Sequence, residues 1–310
     1  MQIAPLYTQI AEAPKNGEAY WIHAEDGVRL RVGLWQSTSP PKGTVLVFPG
    51  RTEYIEKYGH TVSDLQKLGF TTFVIDWRGQ GLADRIAEDP LVGHVVDFTD
   101  YQKDVVAMLK AAKELDLPKP WHLVAHSMGA CIGLRAAIGG LPVSSCVFTG
   151  PMWKINLPAI KRAAAWILSW AAQVHGKGHI YAPGTDGKSY VLNTPLEDNR
   201  LTNDPKMYQY FTNQAMTLMD HQIGGPSMSW LFQTLKETRA LSRMQSPKIP
   251  CIVLCGEQDE VIDIIAVQDR ITCWHNGKLE MIQNAKHDLL SETPPTREKV
   301  LTAILELSAK

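Results

Sequence analysis

The 310-residue sequence has little that would direct it to a membrane or to nucleic acid. Its formal net charge is −1, so no electrostatic attraction to nucleic acid or to anionic lipid is expected. The most apolar helical stretch, residues 163–172, is about half as long as the ~20 residues that span a bilayer. The N-terminal residues lack a basic segment followed by an apolar core, so we expect no signal peptide.

Cysteine and metal-binding motifs are also scarce. The number of cysteines is odd, and none of them forms a Cys-x-x-Cys motif. They are Cys131, Cys146, Cys251, Cys255 and Cys273. Four of them sit in apolar strand or helix contexts, which predicts buried free thiols in a reducing compartment and hence a cytoplasmic protein. No His-Glu-x-x-His motif, no Cys/His cluster at ligand spacing and no Gly-x-Gly-x-x-Gly fingerprint occurs, so we expect neither a metal nor a cofactor.

What the sequence does have is a series of short apolar runs separated by helical patterns. The runs that predict buried strands are residues 44–48, 71–76, 123–125, 143–149, 249–255 and 278–282. The helical patterns between and after them are residues 53–68, 97–116, 263–273 and 295–307, together with a helix after Ser127 that is marked by Gly129, Ala130, Gly133, Ala136 and Ala137. This alternation predicts an α/β protein with a mostly parallel central sheet flanked by helices, preceded by a hairpin around Asp26-Gly27.

The composition changes in the middle of the chain. Residues 152–246 contain no convincing buried strand, and helical patterns cover 159–174, 207–219 and 228–243. This segment carries six of the ten methionines and four of the nine tryptophans. We therefore predict an α/β core from residues 1–150 and 247–310, interrupted by a helical insertion at 151–246.

The junction around Ser127 predicts a nucleophile. The serine follows an apolar strand directly and precedes a helix with a small-residue face. Ala125 and Gly129 occupy the glycine positions of the Gly-x-Ser-x-Gly elbow, in which a sharp strand–helix turn exposes the serine hydroxyl.

Two further residues fall at strand ends. Asp259 follows the predicted strand 249–255, and His287 follows the predicted strand 278–282. In an open α/β sheet the ligand lies at the carboxyl ends of the strands, and the order Ser, Asp, His is that of α/β-hydrolases. We predict that Ser127 is the nucleophile, His287 its base and Asp259 the acid that orients the base.

Other residues compete for these roles. Asp263 is the second choice of acid but stands where a helix N-cap is wanted, and Glu257 and Glu260 are weaker candidates. His126 is expected to pack beside the nucleophile rather than to act as its base. We interpret three other histidines as surface or hydrogen-bonded residues. They are His60, His94 and His221.

Attack by Ser127 would produce a tetrahedral intermediate with a negatively charged oxygen, the oxyanion, which needs two hydrogen-bond donors. The backbone N–H of Met128, at the N-terminus of the helix after Ser127, is one candidate. The loop after strand 44–48 should provide the other, and Arg51 is the best position in it, unless it is simply a surface arginine.

Several stretches besides the elbow form recognisable motifs between about residue 29 and the C-terminus. They are Phe48-Pro49-Gly50-Arg51-Thr52-Glu53-Tyr54, Ile75-Asp76-Trp77-Arg78-Gly79-Gln80-Gly81, Gly93-His94-Val95, Asp97-Phe98, Asp100-Tyr101, Asn203-Asp204-Pro205, Gly224-Gly225-Pro226-Ser227 and Gly256-Glu257-Gln258-Asp259. The chain resembles the α/β-hydrolase fold serine hydrolases, and within them the lysophospholipase L2 and monoacylglycerol lipase group. Pro49 stands where many relatives have the His of a His-Gly pair, and the lysophospholipase-like branch often has proline there.

The resemblance implies a triad of Ser127, Asp259 and His287, an oxyanion hole from the amides of Arg51 and Met128, and a cap over the site. The function implied is a serine ester hydrolase that needs no cofactor and acts on a small ester with one acyl chain, such as a lysophospholipid or monoacylglycerol. An apolar cap suits an acyl chain, and the cap tryptophans expected to contact it are Trp153, Trp166 and Trp230, unless they only pack the cap helices together.

Two other functions remain open. Related capped hydrolases cleave peptides, and an aminopeptidase or amidase would need acidic cap residues such as Glu197, Asp198 or Asp204 to hold an amine. A binding protein of the same fold could keep the triad and turn over slowly. The cap helix 159–174 carries only Lys161 and Arg162 as charges, and transient contact of the cap with a membrane surface is a further expectation.

Overall fold

The computed structural model of the chain describes residues 1–309 and is built on one nine-stranded sheet. Its strands are β1 (Gln2–Ile3), β2 (Gly17–His23), β3 (Arg29–Trp35), β4 (Thr44–Phe48), β5 (Thr71–Asp76), β6 (Trp121–His126), β7 (Ser145–Thr149), β8 (Cys251–Gly256) and β9 (Gly277–Ile282). Its helices are α1 (Thr8–Ala11), α2 (Gly59–Lys67), α3 (Asp100–Glu114), α4 (Met128–Ile138), α5 (Ala159–Val174), α6 (Tyr190–Asn193), α7 (Pro205–Thr217), α8 (Met228–Leu241), α9 (Ile264–Thr272) and α10 (Pro294–Ser308). Short 3₁₀ segments lie at Ile55–Tyr58, Leu196–Asp198, Met219–His221 and Leu289–Ser291.

The sheet confirms the predicted α/β class. Its strand order is β1-β2-β3-β5-β4-β6-β7-β8-β9, with antiparallel pairing from β1 to β5 and parallel pairing from β5 to β9. Every residue of β4, β5, β6, β7 and β8 is buried. Their continuous apolar sequences follow from this, because helices cover both faces of a parallel sheet.

One helix differs from the sequence prediction, and the N-terminal residues, for which no element was predicted, contain β1 and α1. The helix predicted over 53–68 is split into the 3₁₀ segment Ile55–Tyr58 and α2, because tertiary partners occupy its first turn. There the N–H of Ile55 donates to Asp76 Oδ1 at 2.8 Å, and a Cβ on Gly59 would lie 1.7 Å from the carbonyl oxygen of Ala11.

The segment between β7 and β8 contains helices α5 to α8 and, within the described residues, adds no strand to the sheet. It meets the core through hydrogen bonds such as Ser229 Oγ to the Val95 carbonyl at 2.7 Å and Tyr210 Oη to the Ala11 carbonyl at 2.8 Å. In the described part of the chain, no helix is both long enough and apolar enough to cross a membrane.

Candidate active site

The sharp turn predicted at Ser127 is present between β6 and α4. Ser127 has φ 51° and ψ −116°, a conformation in which a residue with a side chain is strained. A Cβ on Gly129 would lie 2.1 Å from the carbonyl oxygen of Phe48. Glycine at this position therefore lets α4 approach the end of β4, so that the Ser127 side chain stands at the carboxyl edge of the sheet.

Three side chains form a hydrogen-bonded chain at this edge. Ser127 Oγ lies 2.9 Å from His287 Nε2, and His287 Nδ1 lies 2.7 Å from Asp259 Oδ2. All three residues are buried. They meet because β6, β7, β8 and β9 are neighbours in the sheet, and the three residues follow β6, β8 and β9.

The acid is held in one orientation. Asp259 Oδ1 accepts from the N–H of Val261 at 2.8 Å and of Ile262 at 3.3 Å, which leaves Oδ2 for His287. Burial alone would raise the pKa of Asp259, but the facing His287 and these N–H groups lower the pKa below its ordinary value. Asp259 is therefore a carboxylate that can accept the Nδ1–H of His287 and stabilise a charged imidazole.

The position of His287 depends on Gly150, the residue directly after β7. Gly150 has φ +50°, and a Cβ there would lie 2.8 Å from the carbonyl oxygen of His287 and 2.9 Å from its Nδ1. A glycine directly after a buried strand was the available signal, because such a site is where another backbone approaches closely.

The two candidate oxyanion donors are backbone N–H groups that have no hydrogen-bond acceptor within the described chain. Within residues 1–309, the backbone N–H groups of Met128 and Arg51 donate no hydrogen bond. Met128 is the first residue of α4, so its N–H has no partner inside the helix. The Arg51 side chain is half-buried and lines the cavity in front of Ser127, so it is not a surface arginine.

A buried polar cluster beside His287 was missed from the sequence. The Lys57 ammonium donates to Glu53 Oε1 and to Asp288 Oδ2, the latter at 2.5 Å. Glu53 Oε2 accepts from Tyr58 Oη at 2.6 Å and from the N–H of Gly50, which fixes the loop that carries Arg51. The i, i+4 spacing of Glu53 and Lys57 was the available signal.

The same cluster contains a set of groups with metal-ligand chemistry. Glu53, His126 and Asp288 lie close enough together to hold a cation, and Lys57 already bonds to both carboxylates. His126 Nδ1 is 3.0 Å from the Thr149 carbonyl oxygen, and burial lowers the pKa of this histidine. Its ring lies 4.9 Å from that of His287, so His126 packs against the predicted base.

A cavity of about 420 Å³ opens in front of Ser127 and His287. One of the three predicted cap tryptophans, Trp230, lines it. Trp153 and Trp166 do not; they line a second cavity of about 240 Å³.

The prediction that Trp153 and Trp166 contact substrate is therefore not supported by their placement. The Trp153 ring is buried against Phe148, with centroids 5.4 Å apart, and its Nε1 donates to the Ala130 carbonyl at 3.2 Å. Trp166 packs against Phe232, so both rings join elements of the fold together.

The competing candidates have other partners. Asp263 caps α9 by accepting from the N–H of Ala266 at 3.2 Å, which confirms its interpretation as an N-cap. Glu260 pairs with Arg200 at the surface. His60 contacts Glu12, as expected of a surface histidine.

The chain is similar to several known hydrolases. Residues 39–294 match the family described as "Serine aminopeptidase, S33". Lysophospholipase L2 of Escherichia coli (strain K12) is 30% identical over 275 residues, covering 84% of this chain and 79% of that protein. Monoglyceride lipase of Rattus norvegicus is 23% identical over 292 residues, covering 90% and 86% respectively.

Solved structures show the same fold. A soluble variant of monoglyceride lipase from Saccharomyces cerevisiae, solved with a substrate analog, aligns with TM-score 0.71 at 19% identity, covering 93% of each chain. A carboxyl esterase from Bacillus coagulans aligns with TM-score 0.75 at 16% identity, covering 94% of this chain and 98% of that chain. With the match over residues 39–294, the chain belongs to the serine aminopeptidase S33 family of α/β-hydrolases.

Proposed function

We propose that this protein is a serine ester hydrolase that cleaves carboxylic esters of single-chain lipids, such as lysophospholipids or monoacylglycerols, through an acyl-enzyme. The observation that carries the proposal is the chain of hydrogen bonds from Ser127 through His287 to Asp259, opening into a cavity with an apolar wall. Relatives named lysophospholipase L2 and monoglyceride lipase support the choice of substrate.

The geometry supports two successive acyl transfers. Ser127 Oγ attacks the ester carbonyl while His287 Nε2 accepts its proton, and Asp259 stabilises the imidazolium. The N–H groups of Met128 and Arg51 bind the oxyanion of the tetrahedral intermediate. The alcohol then leaves with the proton from His287. A water molecule attacks the acyl-enzyme with His287 as base, releasing the fatty acid and restoring Ser127.

The cavity wall fits an acyl chain on one side. Its apolar residues follow β7 and β8 or come from the segment 151–246, and include Met152, Ile155, Leu157, Leu231 and Val261. An apolar wall of this kind binds an alkyl chain through the area removed from water. We propose that residues 151–246 form a cap that supplies part of this wall.

An aminopeptidase remains the second candidate, in view of the family's description. Such an enzyme would need a carboxylate facing the substrate amine. Glu197, Asp198 and Asp204 do not line the cavity, and Asp204 instead caps α7. The carboxylate that does line it, Glu53, is already bonded to Lys57, which favours an ester over a peptide substrate.

Two assays separate the candidates. A fluorophosphonate should label the wild-type protein once and should not label Ser127→Ala; equal labelling of both would contradict the assignment of the nucleophile. Turnover of lysolipids and acyl esters of graded chain length should exceed turnover of aminoacyl arylamides, whereas the reverse order would favour the aminopeptidase. A single-turnover burst without steady-state turnover would indicate a binding protein.

We also propose that α5 contacts a lipid surface. Only Ser169 and Ala172 of this helix are buried, and its exposed apolar residues are Ile160, Ile167, Leu168, Trp170 and Val174. Apolar side chains on one exposed helix can enter the boundary between head groups and acyl chains. Replacing Ile167 and Trp170 with Glu should reduce co-sedimentation with neutral phospholipid vesicles, while turnover of a water-soluble ester should remain at the wild-type level.

For the compartment, we propose the cytoplasm. All five cysteines are free, and four are buried. Cys146 and Cys251 are direct neighbours across β7 and β8 and still form no disulfide, which suits a reducing environment. Fractionation of the producing cells tests this proposal.

A further inference from the structure

The cavity in front of Ser127 has chemically different walls on the two sides of the nucleophile. Ser127 follows β6, which lies between β4 and β7 in the sheet. The loop and 3₁₀ segment after β4 provide the polar residues Arg51, Glu53 and Lys57, whereas apolar residues follow β7 and β8. An ester bound at Ser127 with its acyl chain on the apolar side therefore has its alcohol portion on the β4 side.

The cations that line this cavity differ in how they are neutralised. Lys57 is bonded to two carboxylates, those of Glu53 and Asp288. Arg200, at the exposed mouth, pairs with Glu260 at 3.2 Å. Arg51 has no carboxylate within salt-bridge distance among residues 1–309.

The Arg51 guanidinium is nevertheless held in a defined position. Its Nη1 donates to the Gly224 carbonyl at 2.8 Å, and its central carbon lies 5.5 Å from the Trp230 ring centroid. A Cβ on Gly93 would lie 2.9 Å from Nη1, so glycine at that position leaves room for the group. Nε and Nη2 of Arg51 donate to no group in the described chain, and neither is a fully buried atom.

A half-buried guanidinium that has free donors and no carboxylate partner in the described chain can pair with the anionic group of a ligand in the cavity. Burial lowers the pKa of Arg51 to about 10, so the side chain is still charged at neutral pH. Its free donors form the planar fork that binds phosphate oxygens in pairs. A fatty acid carboxylate would not meet this requirement, since the acyl carbonyl must sit at Ser127.

We propose that the Arg51 side chain binds the phosphate of a lysophospholipid head group, so that this site prefers lysophospholipids to monoacylglycerols of the same acyl chain. The inference rests on the proposed ester hydrolysis and adds the head group. In a lysophospholipid the three-carbon glycerol unit separates the reacting ester from the phosphate, so the phosphate lies near the reaction centre. Arg51 then has two parts with two roles: its N–H binds the oxyanion and its guanidinium binds the phosphate.

The test compares kcat/KM for a lysophosphatidylethanolamine and a monoacylglycerol with the same short acyl chain. Both lipids are used at concentrations below their critical micelle concentrations. Arg51→Met should lower the ratio of kcat/KM for the lysophospholipid to kcat/KM for the monoacylglycerol about ten- to one-hundred-fold, as expected for the loss of a hydrogen-bonded ion pair. Arg51→Lys, which keeps the charge but not the fork, should give an intermediate ratio. Arg85→Met is the matched control, because Arg85 also donates only to backbone carbonyls but lies outside this cavity, and it should leave the ratio unchanged.

A binding measurement keeps the test independent of turnover and of the stability of the variants. Glycerol 3-phosphate should bind the wild-type protein at least about tenfold more tightly than glycerol, and added salt should weaken only the phosphate ester. Equal binding of the two ligands, or an unchanged selectivity ratio in a folded Arg51→Met, would overturn the phosphate assignment. If the wild type hydrolyses neither lipid, the proposed function fails, and calorimetry that compares glycerol 3-phosphate binding to the wild type and to folded Arg51→Met still decides the role of Arg51.

Discussion

Replacing Asp259 with Asn should disable the predicted base without disturbing the fold. Oδ1 of Asp259 accepts from the N–H groups of Val261 and Ile262, so the Asn oxygen must take that place. The Asn amide then points its NH₂ at His287 Nδ1, the atom that is 2.7 Å from Oδ2 in the wild type. Two donors cannot face each other, so the imidazole proton moves to Nε2. In that tautomer Nε2 cannot accept the proton of Ser127.

The expected loss is about 10⁴-fold in kcat, the size known for the analogous change in a serine protease, or about 5 kcal/mol of transition-state stabilisation. The assay is kcat and kcat/KM with a short-chain acyl ester, together with the rate of fluorophosphonate labelling and a thermal melt. Asp263→Asn is the matched control, because this neighbouring acid caps α9 and should affect stability by only about 1 kcal/mol. A folded Asp259→Asn variant that loses less than about tenfold in both rates would refute the assigned orientation.

Two further predictions concern the surroundings of the base. Gly150→Ala should lower kcat by more than about tenfold by displacing His287, whereas Gly140→Ala, also at positive φ but with open space around it, should lower only stability, by about 1–2 kcal/mol. Equal kinetics for the two variants would contradict this reasoning. Asp288→Asn tests the ion pair with Lys57: burial opposes ionisation of Asp288, but Lys57 lowers its pKa from 3.8 to about 2. The ionised carboxylate therefore stabilises the fold above about pH 4, and about 2 kcal/mol of this stability is lost as pH falls towards 2. In urea titrations the stability difference between wild type and Asp288→Asn should shrink by that amount, and a difference that does not vary with pH would count against the pairing.

The order and position of the apolar runs were enough to predict the layered α/β core and the residues at its strand ends. Continuous apolar runs predicted β4, β5 and β6 because a strand covered on both faces has no polar positions to alternate. Parallel strands end at a common edge, so residues far apart in sequence, Ser127 and His287, could be predicted to meet. This inference needs only chain order and strand position.

Which side chains share a cavity, and which charged side chains have a partner of opposite charge, depends on contacts between distant segments. Trp153 and Trp230 are both tryptophans in the same predicted insertion, yet Trp153 packs into the core and Trp230 lines the cavity, since direction and depth depend on neighbouring elements. The pairing of Lys57 with Asp288 joins residues 231 positions apart, and no local pattern reports such a distance. The sequence contained Arg51 and its backbone role could be predicted. The absence of a carboxylate partner for its guanidinium is visible only in the packing of the loops around it. The reason is that the charge of a partly buried group is balanced by groups close in space, which need not be close along the chain.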